Sequence, residues 1–345
     1  MNVLRGSGTF VGIDTLISSV KAIGCNVDLI TPRLHFPIYT IERLLFNESL
    51  RFIRIPKEVS ATVGFDLDGY ILAQRRRRIP HIASIKGVIA DEMRHENGLT
   101  RATMMIQAHY EARHVRSADF VITTSQYAAS RLKNLYGISK VHSVIPELID
   151  LTQWHDASHQ YGRLPDPSKF VVLCVCRFYP RKRIPLLLAA ADLLRDRIPN
   201  LQVRIIGGGP ESDKLHAICR AKQLHNIVIR EDISHSELIQ EYTACDVFCL
   251  PSVQEGFGIV FLEAMACRKP IIAARASAVP EVVQHGILVE PDSTNEIADA
   301  ILQLHSNPSL REDLGNAGAE FVRQFDAPHV AGRFVDEVRR ILEHP

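Results

Sequence analysis

The sequence predicts an α/β protein made of two doubly wound domains, and three observations carry that prediction. The chain has 345 residues, which suggests two domains at roughly 150 residues each. Its second half holds short, continuous apolar runs at 171–175, 203–206, 227–229, 246–250, 270–274 and 287–289. Runs of that kind suit strands buried on both faces of a parallel sheet. Between them lie segments of helical period, clearest at 184–197, 211–223, 235–244 and 258–268. Strand alternating with helix implies right-handed βαβ crossovers.

The first half repeats the theme less clearly. A helix is expected from about Thr9 to Ala22, then a strand at Asn26–Thr31. Further strands are expected at Pro80–Ile85 and Asp119–Thr123, with a long helix over 99–117 between them. Only Asn2–Leu4 precede Gly6, so the opening strand is expected to be short or missing. Residues 144–170 contain Pro146, Pro165 and Pro167 with few periodic apolars, and read as an interdomain linker. In the second half, Ser234 with Glu237 makes a capping box, and Pro185 and Pro210 suit first-turn positions. The last helix, 328–343, has an apolar stripe of Val330, Phe334, Val335, Val338 and Ile341 that needs a surface to cover. The expected division is 1–150, 151–327 and a terminal helix in 328–345.

Composition is ordinary for a globular protein, with 46% hydrophobic and 23% charged residues. Disorder, collagen-like repeats and a disulfide scaffold are excluded on that ground. The net charge of +1 provides no global field for nucleic acid. It hides an asymmetry: residues 1–150 carry 19 Lys+Arg against 14 Asp+Glu, and the remainder 21 against 25. The seven cysteines include no C-x-x-C pair and sit mostly in apolar runs, as buried reduced thiols would in a cytosolic protein. No secretory leader or spanning run is read in the chain. The basic run Arg75–Arg78 reads as a helix C-terminus that complements the dipole, or as a patch touching an anionic surface.

The segment 249–263, CLPSVQEGFGIVFLE, carries the sharpest chemistry. A strand ends at Leu250, a loop with Gly256, Phe257 and Gly258 follows, and a helix opens near Gly258. Free backbone N–H groups at such a helix start, together with the dipole, favour phosphate. Glu255 and Glu263 bracket it and suit sugar hydroxyls rather than phosphate. Arg177 and Lys182 follow the strand VVLCV, where a doubly wound sheet forms its ligand crevice. Arg177 can bind an oxyanion with two donors and Lys182 adds a point charge. The turn Gly207–Glu211 does not complete G-x-G-x-x-G, which argues against a nicotinamide domain.

In this order these elements resemble the carboxyl-terminal domain of retaining glycosyltransferases of GT-B fold, glycosyltransferase family 4. The resemblance covers about 170–325 and rests on Arg177 with Lys182, GGGP at 207–210, ACDVFCLPS, the E-x7-E pair Glu255–Glu263, and AVPEVV at 278–283. It implies two Rossmann-like domains facing across a cleft, with the terminal helix crossing back to the first. Arg177 and Lys182 would hold the donor diphosphate, and Glu255 would contact the transferred sugar. Glu263 would bind ribose hydroxyls. Gly208, Gly256, Phe257, Gly258, Ile259 and Val260 would line the donor, with the base near Ile233. No cofactor is implied, because the nucleotide-sugar is a substrate, and no metal, because cationic side chains and a helix dipole take its role. The amino-terminal half would take the hydroxyl acceptor, with Gly6, Gly8, Lys86 and His95 on that side. Lys86, in HIASIKGV, stands where the family usually places a histidine.

The function expected is transfer of a sugar from a nucleotide-diphosphate donor to a glycan, lipid or small-molecule hydroxyl. A cytoplasmic location follows, with peripheral membrane contact through the basic half. A nucleotide-sugar epimerase on the same fold and a catalytically impaired binding protein are the competing readings.

Overall fold

A computed structural model describes residues 8–32, 36, 38–75 and 79–343. The chain divides into two units, Met1–Leu148 with Ala327–Pro345, and Ile149–Asp326. The segment expected to hold a short or missing first strand, Gly6 and most of the Arg75–Arg78 run lie outside the described residues.

Among the described residues of the amino-terminal unit the sheet has four parallel strands in the order β1-β2-β3-β4: Thr62–Phe65, His81–Ile85, Phe120–Thr123 and Ser143–Val144. The expected strand at Asn26–Thr31 is absent from it. That stretch instead leans Val27 and Ile30 against the hydrophobic clusters. The helices Gly8–Ala22 and Gly98–Ser117 fall close to the expected positions. The helix Ala327–Glu343 belongs to this unit, and its stripe is met by Leu16 and Val20 of the first helix.

The carboxyl-terminal unit has six parallel strands: β5 Phe170–Val175, β6 Leu201–Ile206, β7 Ile227–Arg230, β8 Val247–Leu250, β9 Ile271–Ala274 and β10 Ile287–Val289. Their order is β10-β9-β8-β5-β6-β7. The chain winds outward from β5 through β6 to β7, then returns to the other side of β5 as β8. Val172 pairs with Val247 and Leu173 with Phe248 across that reversal. The central apolar runs, β5, β8 and β9, form strands because both faces are covered. Val172, Leu173, Val247 and Phe248 are all fully buried, each contributing on the order of 2 kcal/mol.

Helix starts follow their local chemistry. Ser234 accepts from the Glu237 N–H while Glu237 reaches back, and Pro185 sits in a first turn. Pro210 instead precedes Glu211, the cap of the helix Ser212–Ala221. The expected linker is corrected. Within 144–170 lies the helix Leu151–Tyr161, capped by Asp150, whose Trp154 packs edge-on against Tyr242 in the core. Trp154, with Leu151 and Ala157 packed beside it, docks a helix whose remaining residues are mostly polar.

No helix among the described residues is long and apolar enough to cross a membrane. All seven cysteines are free thiols, four of them buried.

Candidate nucleotide-sugar site

The reversal of strand order falls between β5 and β8. Doubly wound sheets bind ligands outside the carboxyl ends of the strands at such a point. The loops leaving these two strands carry Arg177 with Lys182, and Glu255 with Gly258.

These loops are stitched together by backbone. The Val253 N–H donates to the carbonyl of Arg181 at 2.9 Å, and the Ser252 hydroxyl donates to the same oxygen. Lys182 closes a 3₁₀ turn, Pro180–Lys182, that points its chain at the β8 loop. Its Nζ lies 2.6 Å from Glu255 Oε1, and both residues are buried. Glu255 is anchored from the other side, where its N–H donates to Ser277 Oγ at 2.8 Å and its carbonyl accepts from Ala278. Ala278 is the cap of the short helix Val279–Val282, so the segment AVPEVV buttresses the Glu255 loop. Ser277 holds a left-handed φ of 51°, which marks how tightly this turn is drawn.

Arg177 is exposed and makes no ion pair among the described residues. Arg183 is engaged elsewhere, on Asp292 at 2.6 Å, and Arg181 stacks on Tyr179. Of this basic cluster, Lys182 is fixed to Glu255 and Arg177 stands open to solvent.

Gly258 caps the helix Ile259–Ala266 with φ 94°. A Cβ there would lie 2.6 Å from the Phe261 ring, so glycine is required by both conformation and space. Phe257 and Ile259 are buried, while Gly256 and Val260 are half-buried at the helix mouth. Ile233 is half-buried against the core at the carboxyl end of β7.

Glu263 is buried one turn into the helix. Neither neighbouring cation pairs with it: Arg268 bonds Asn316, and Lys269 caps the carbonyls of Thr243 and Cys245. Its partner is Tyr242, whose hydroxyl donates to Oε2 at 2.7 Å. Burial pushes the Glu263 carboxyl up to about 7, against the opposing pull of that hydrogen bond. Because the folded value exceeds the unfolded one, the folded state takes up a proton as pH falls from 7 toward 4.5. The stability is therefore present below the unfolded value and lost as pH rises through the folded one. Glu263→Gln is expected to stabilise the protein at pH 8 by up to about 3 kcal/mol, and by little near pH 4. Denaturant melts of both proteins across that range check it, and an equal difference at both ends would refute it.

The glycine turn after β6 packs against the Arg177 loop rather than opening toward solvent. Gly208 accepts from the Phe178 N–H at 3.0 Å, and the Phe178 carbonyl accepts from Glu211. A Cβ on Gly209 would meet the Phe178 N at 2.8 Å.

In the amino-terminal unit, Lys86 follows β2 and is buried in an ion pair with Glu147 at 3.0 Å. Its N–H donates to Asp66 Oδ1 at 2.8 Å. Gly8 opens the first helix and is exposed, and His95 is half-buried in the turn Met93–His95. The sequence reading missed Tyr242, Ser277 and Glu147. Tyr242 was within reach of it, five residues before the buried strand β8 and on a capped helix.

Among the described residues no group of three or more His, Cys, Asp or Glu could hold a metal ion.

Comparison with known proteins agrees with this construction. The family model for glycosyl transferases group 1 matches residues 160–321. A GDP-mannose-dependent alpha-(1-6)-phosphatidylinositol monomannoside mannosyltransferase of Mycolicibacterium smegmatis is 29% identical over 252 residues, 68% of this chain and 65% of that protein. A D-inositol 3-phosphate glycosyltransferase of Actinosynnema mirum is 32% identical over 59% of this chain and 53% of its own length. The alignments thus span about half to two thirds of these relatives. Among solved structures, a sucrose-phosphate synthase from Thermosynechococcus elongatus superimposes with a TM-score of 0.83 at 22% identity, covering 98% of this chain and 94% of its own. Anabaena HepE in complex with UDP and glucose gives 0.72 at 18% identity, with 98% of each chain covered. The chain thus has two Rossmann-like units consistent with the GT-B fold, and the segment that carries the Arg177–Lys182 loop and the Glu255–Glu263 helix start is the one that matches the glycosyl transferases group 1 model.

Proposed function

We propose that the protein is a retaining glycosyltransferase that moves a sugar from a nucleotide-diphosphate donor to a hydroxyl acceptor. The observation that carries this reading is the pairing of Lys182 with Glu255 at the sheet's switch point, beside a glycine-capped helix start and the open guanidinium of Arg177. Cations, free N–H groups and a carboxylate converge there, as a charged diphosphate joined to a polyhydroxylated sugar requires.

Arg177 and Lys182 hold the diphosphate and stabilise the charge that grows on it as the bond from phosphate oxygen to the anomeric carbon breaks. The helix start at Gly258–Val260 adds its dipole and N–H groups. Glu255 accepts from hydroxyls of the transferred sugar, and Glu263 Oε1, which Tyr242 leaves free, accepts from the ribose. The base lies toward Ile233. The acceptor oxygen bonds to the anomeric carbon on the face the phosphate leaves, and its proton passes to the departing phosphate oxygen. No separate protein base is needed. The diphosphate charge is met by side chains and a helix, so the reading assigns no metal. The amino-terminal unit takes the acceptor, in the cytoplasm, and its basic excess suits an anionic acceptor or surface.

A thermal-shift screen against GDP, UDP and ADP, led by GDP because of the mannosyltransferase relatives, tests the donor side. A ligand bound only by the folded state raises Tm, by the equivalent of about 2.7 kcal/mol at a hundred times Kd. Arg177→Ala should abolish that shift. Nucleotide binding followed by an epimer from donor alone would establish the epimerase reading. The absence of any nucleotide binding would refute the site.

A further inference from the structure

The helix Leu151–Tyr161 carries a pair of histidines that the donor site does not use. His155 and His159 stand four positions apart, which sets them on one face, one turn from each other. Both are exposed, and their rings meet edge to face with centroids 4.3 Å apart. Their Nε2 atoms lie 3.1 Å apart. The frame that presents them is anchored independently of the pair. Asp150 caps the helix by accepting from the Gln153 N–H at 2.8 Å, and Trp154 packs edge-on against His235 and Tyr242.

Two imidazole nitrogens can meet at this distance in two ways. One donates to the other, or both present lone pairs to a cation between them. The hydrogen bond is worth little at an exposed position, because water serves either ring as well. A transition-metal ion gains more from the same geometry. Bonds of about 2.0–2.1 Å to each nitrogen, with 3.1 Å between the nitrogens, close an angle of about 100° at the ion. That falls between octahedral and tetrahedral coordination, so neither ring has to move. A third group prepares the tautomer. Asp156 Oδ1 lies 3.7 Å from His155 Nδ1. A carboxylate on that side favours the proton on Nδ1 and leaves the Nε2 lone pair for a metal.

We propose that His155 and His159 bind a divalent transition-metal ion of the nickel, copper or zinc class through both Nε2 atoms. Imidazole suits these ions, whereas magnesium and calcium take oxygen ligands. Water fills the remaining positions, so the site is a clip on one helix rather than a cage. Its role is structural. The two nitrogens converge only while the turn between them is helical, so the ion stabilises the helix Leu151–Tyr161 and, through Trp154, the core it docks on. The pair shares no residue with the donor site, and the inference does not depend on the transfer reaction.

Titration calorimetry of the full, untagged chain with nickel ion tests it, with zinc and magnesium ions alongside. Nickel and zinc should bind saturably and raise Tm, and magnesium should do neither. His155→Ala and His159→Ala should each weaken nickel binding about 10²-fold, the advantage of two linked ligands over one. Both side chains face solvent, so Tm without metal should not move. Gln160→His in the His159→Ala background restores the number of histidines but sets them five apart, off the shared face, and should leave binding weak. Absence of saturable nickel binding, an equal response to magnesium, binding that neither alanine variant weakens, or full recovery with Gln160→His would each overturn the proposal.

Discussion

Lys182→Met is expected to lower kcat/KM for sugar transfer by about 10³-fold and to destabilise the fold by about 3–5 kcal/mol. The two losses have different origins. Activity falls because a cation aimed at the leaving diphosphate is gone, and one such donor in a water-poor site is worth roughly 10²–10³ in rate. Stability falls because Glu255, buried and 2.6 Å from Nζ, is left as an uncompensated charge. A second substitution separates them. Lys182→Met with Glu255→Gln removes the orphaned charge, so it should regain most of the stability and none of the transfer. If the double variant stays as unstable as the single one, the pair is not the source of the loss. Arg177→Ala is the cleaner functional probe. Its side chain is exposed and unpaired among the described residues, so Tm should move by no more than about 0.5 kcal/mol in stability while transfer falls about 10²-fold or more. Full activity in Arg177→Ala would remove that residue from the site.

The parts of the molecule legible in the sequence are those whose physics is local. The strands β5, β8 and β9 are buried on both faces, so each appears as an unbroken apolar run, and the helix starts at Ser234 and Gly258 are fixed by residues within one turn. The helix Tyr39–Ser49 was illegible for the opposite reason. Ile41 and Leu45 face outward, and its buried face sets Thr40, Glu42, Arg43 and Asn47 beside Phe46, so a periodicity that assumes apolar residues face inward finds no helix. The helix Leu151–Tyr161 was lost in the supposed linker because Trp154 is its only buried residue. At the site, the sequence supplied the residues but not their pairing. Lys182 and Glu255 are 73 positions apart, and only the adjacency of β5 and β8 brings them together. Tyr242 on Glu263 and Ser277 on Glu255 are likewise products of topology.

Gly207 shows how far a residue can govern a site that it does not touch. It follows β6 with φ 138°, a conformation that side chains rarely adopt. A Cβ there would fall on the carbonyl oxygen of Cys176, far inside contact distance, with the Phe178 ring 3.3 Å away. The two obstacles flank Arg177 in the chain. Neither can yield cheaply, because Cys176 is tied by its N–H to the Ile206 carbonyl and Phe178 by its own to Gly208. Gly207→Ala is therefore expected to cost about 3–5 kcal/mol, the sum of a strained φ and a forced separation of two packed loops. The separation must displace residues 176–178, so nucleotide affinity should fall as well in whatever fraction remains folded. A denaturant melt gives the first number, and a nucleotide titration of the folded protein at low temperature gives the second. Had the glycine turn been a direct phosphate cradle, the substitution would spare stability and remove binding alone. Loss of stability together with a partial loss of affinity is the signature of a turn whose function is to hold Arg177 in place.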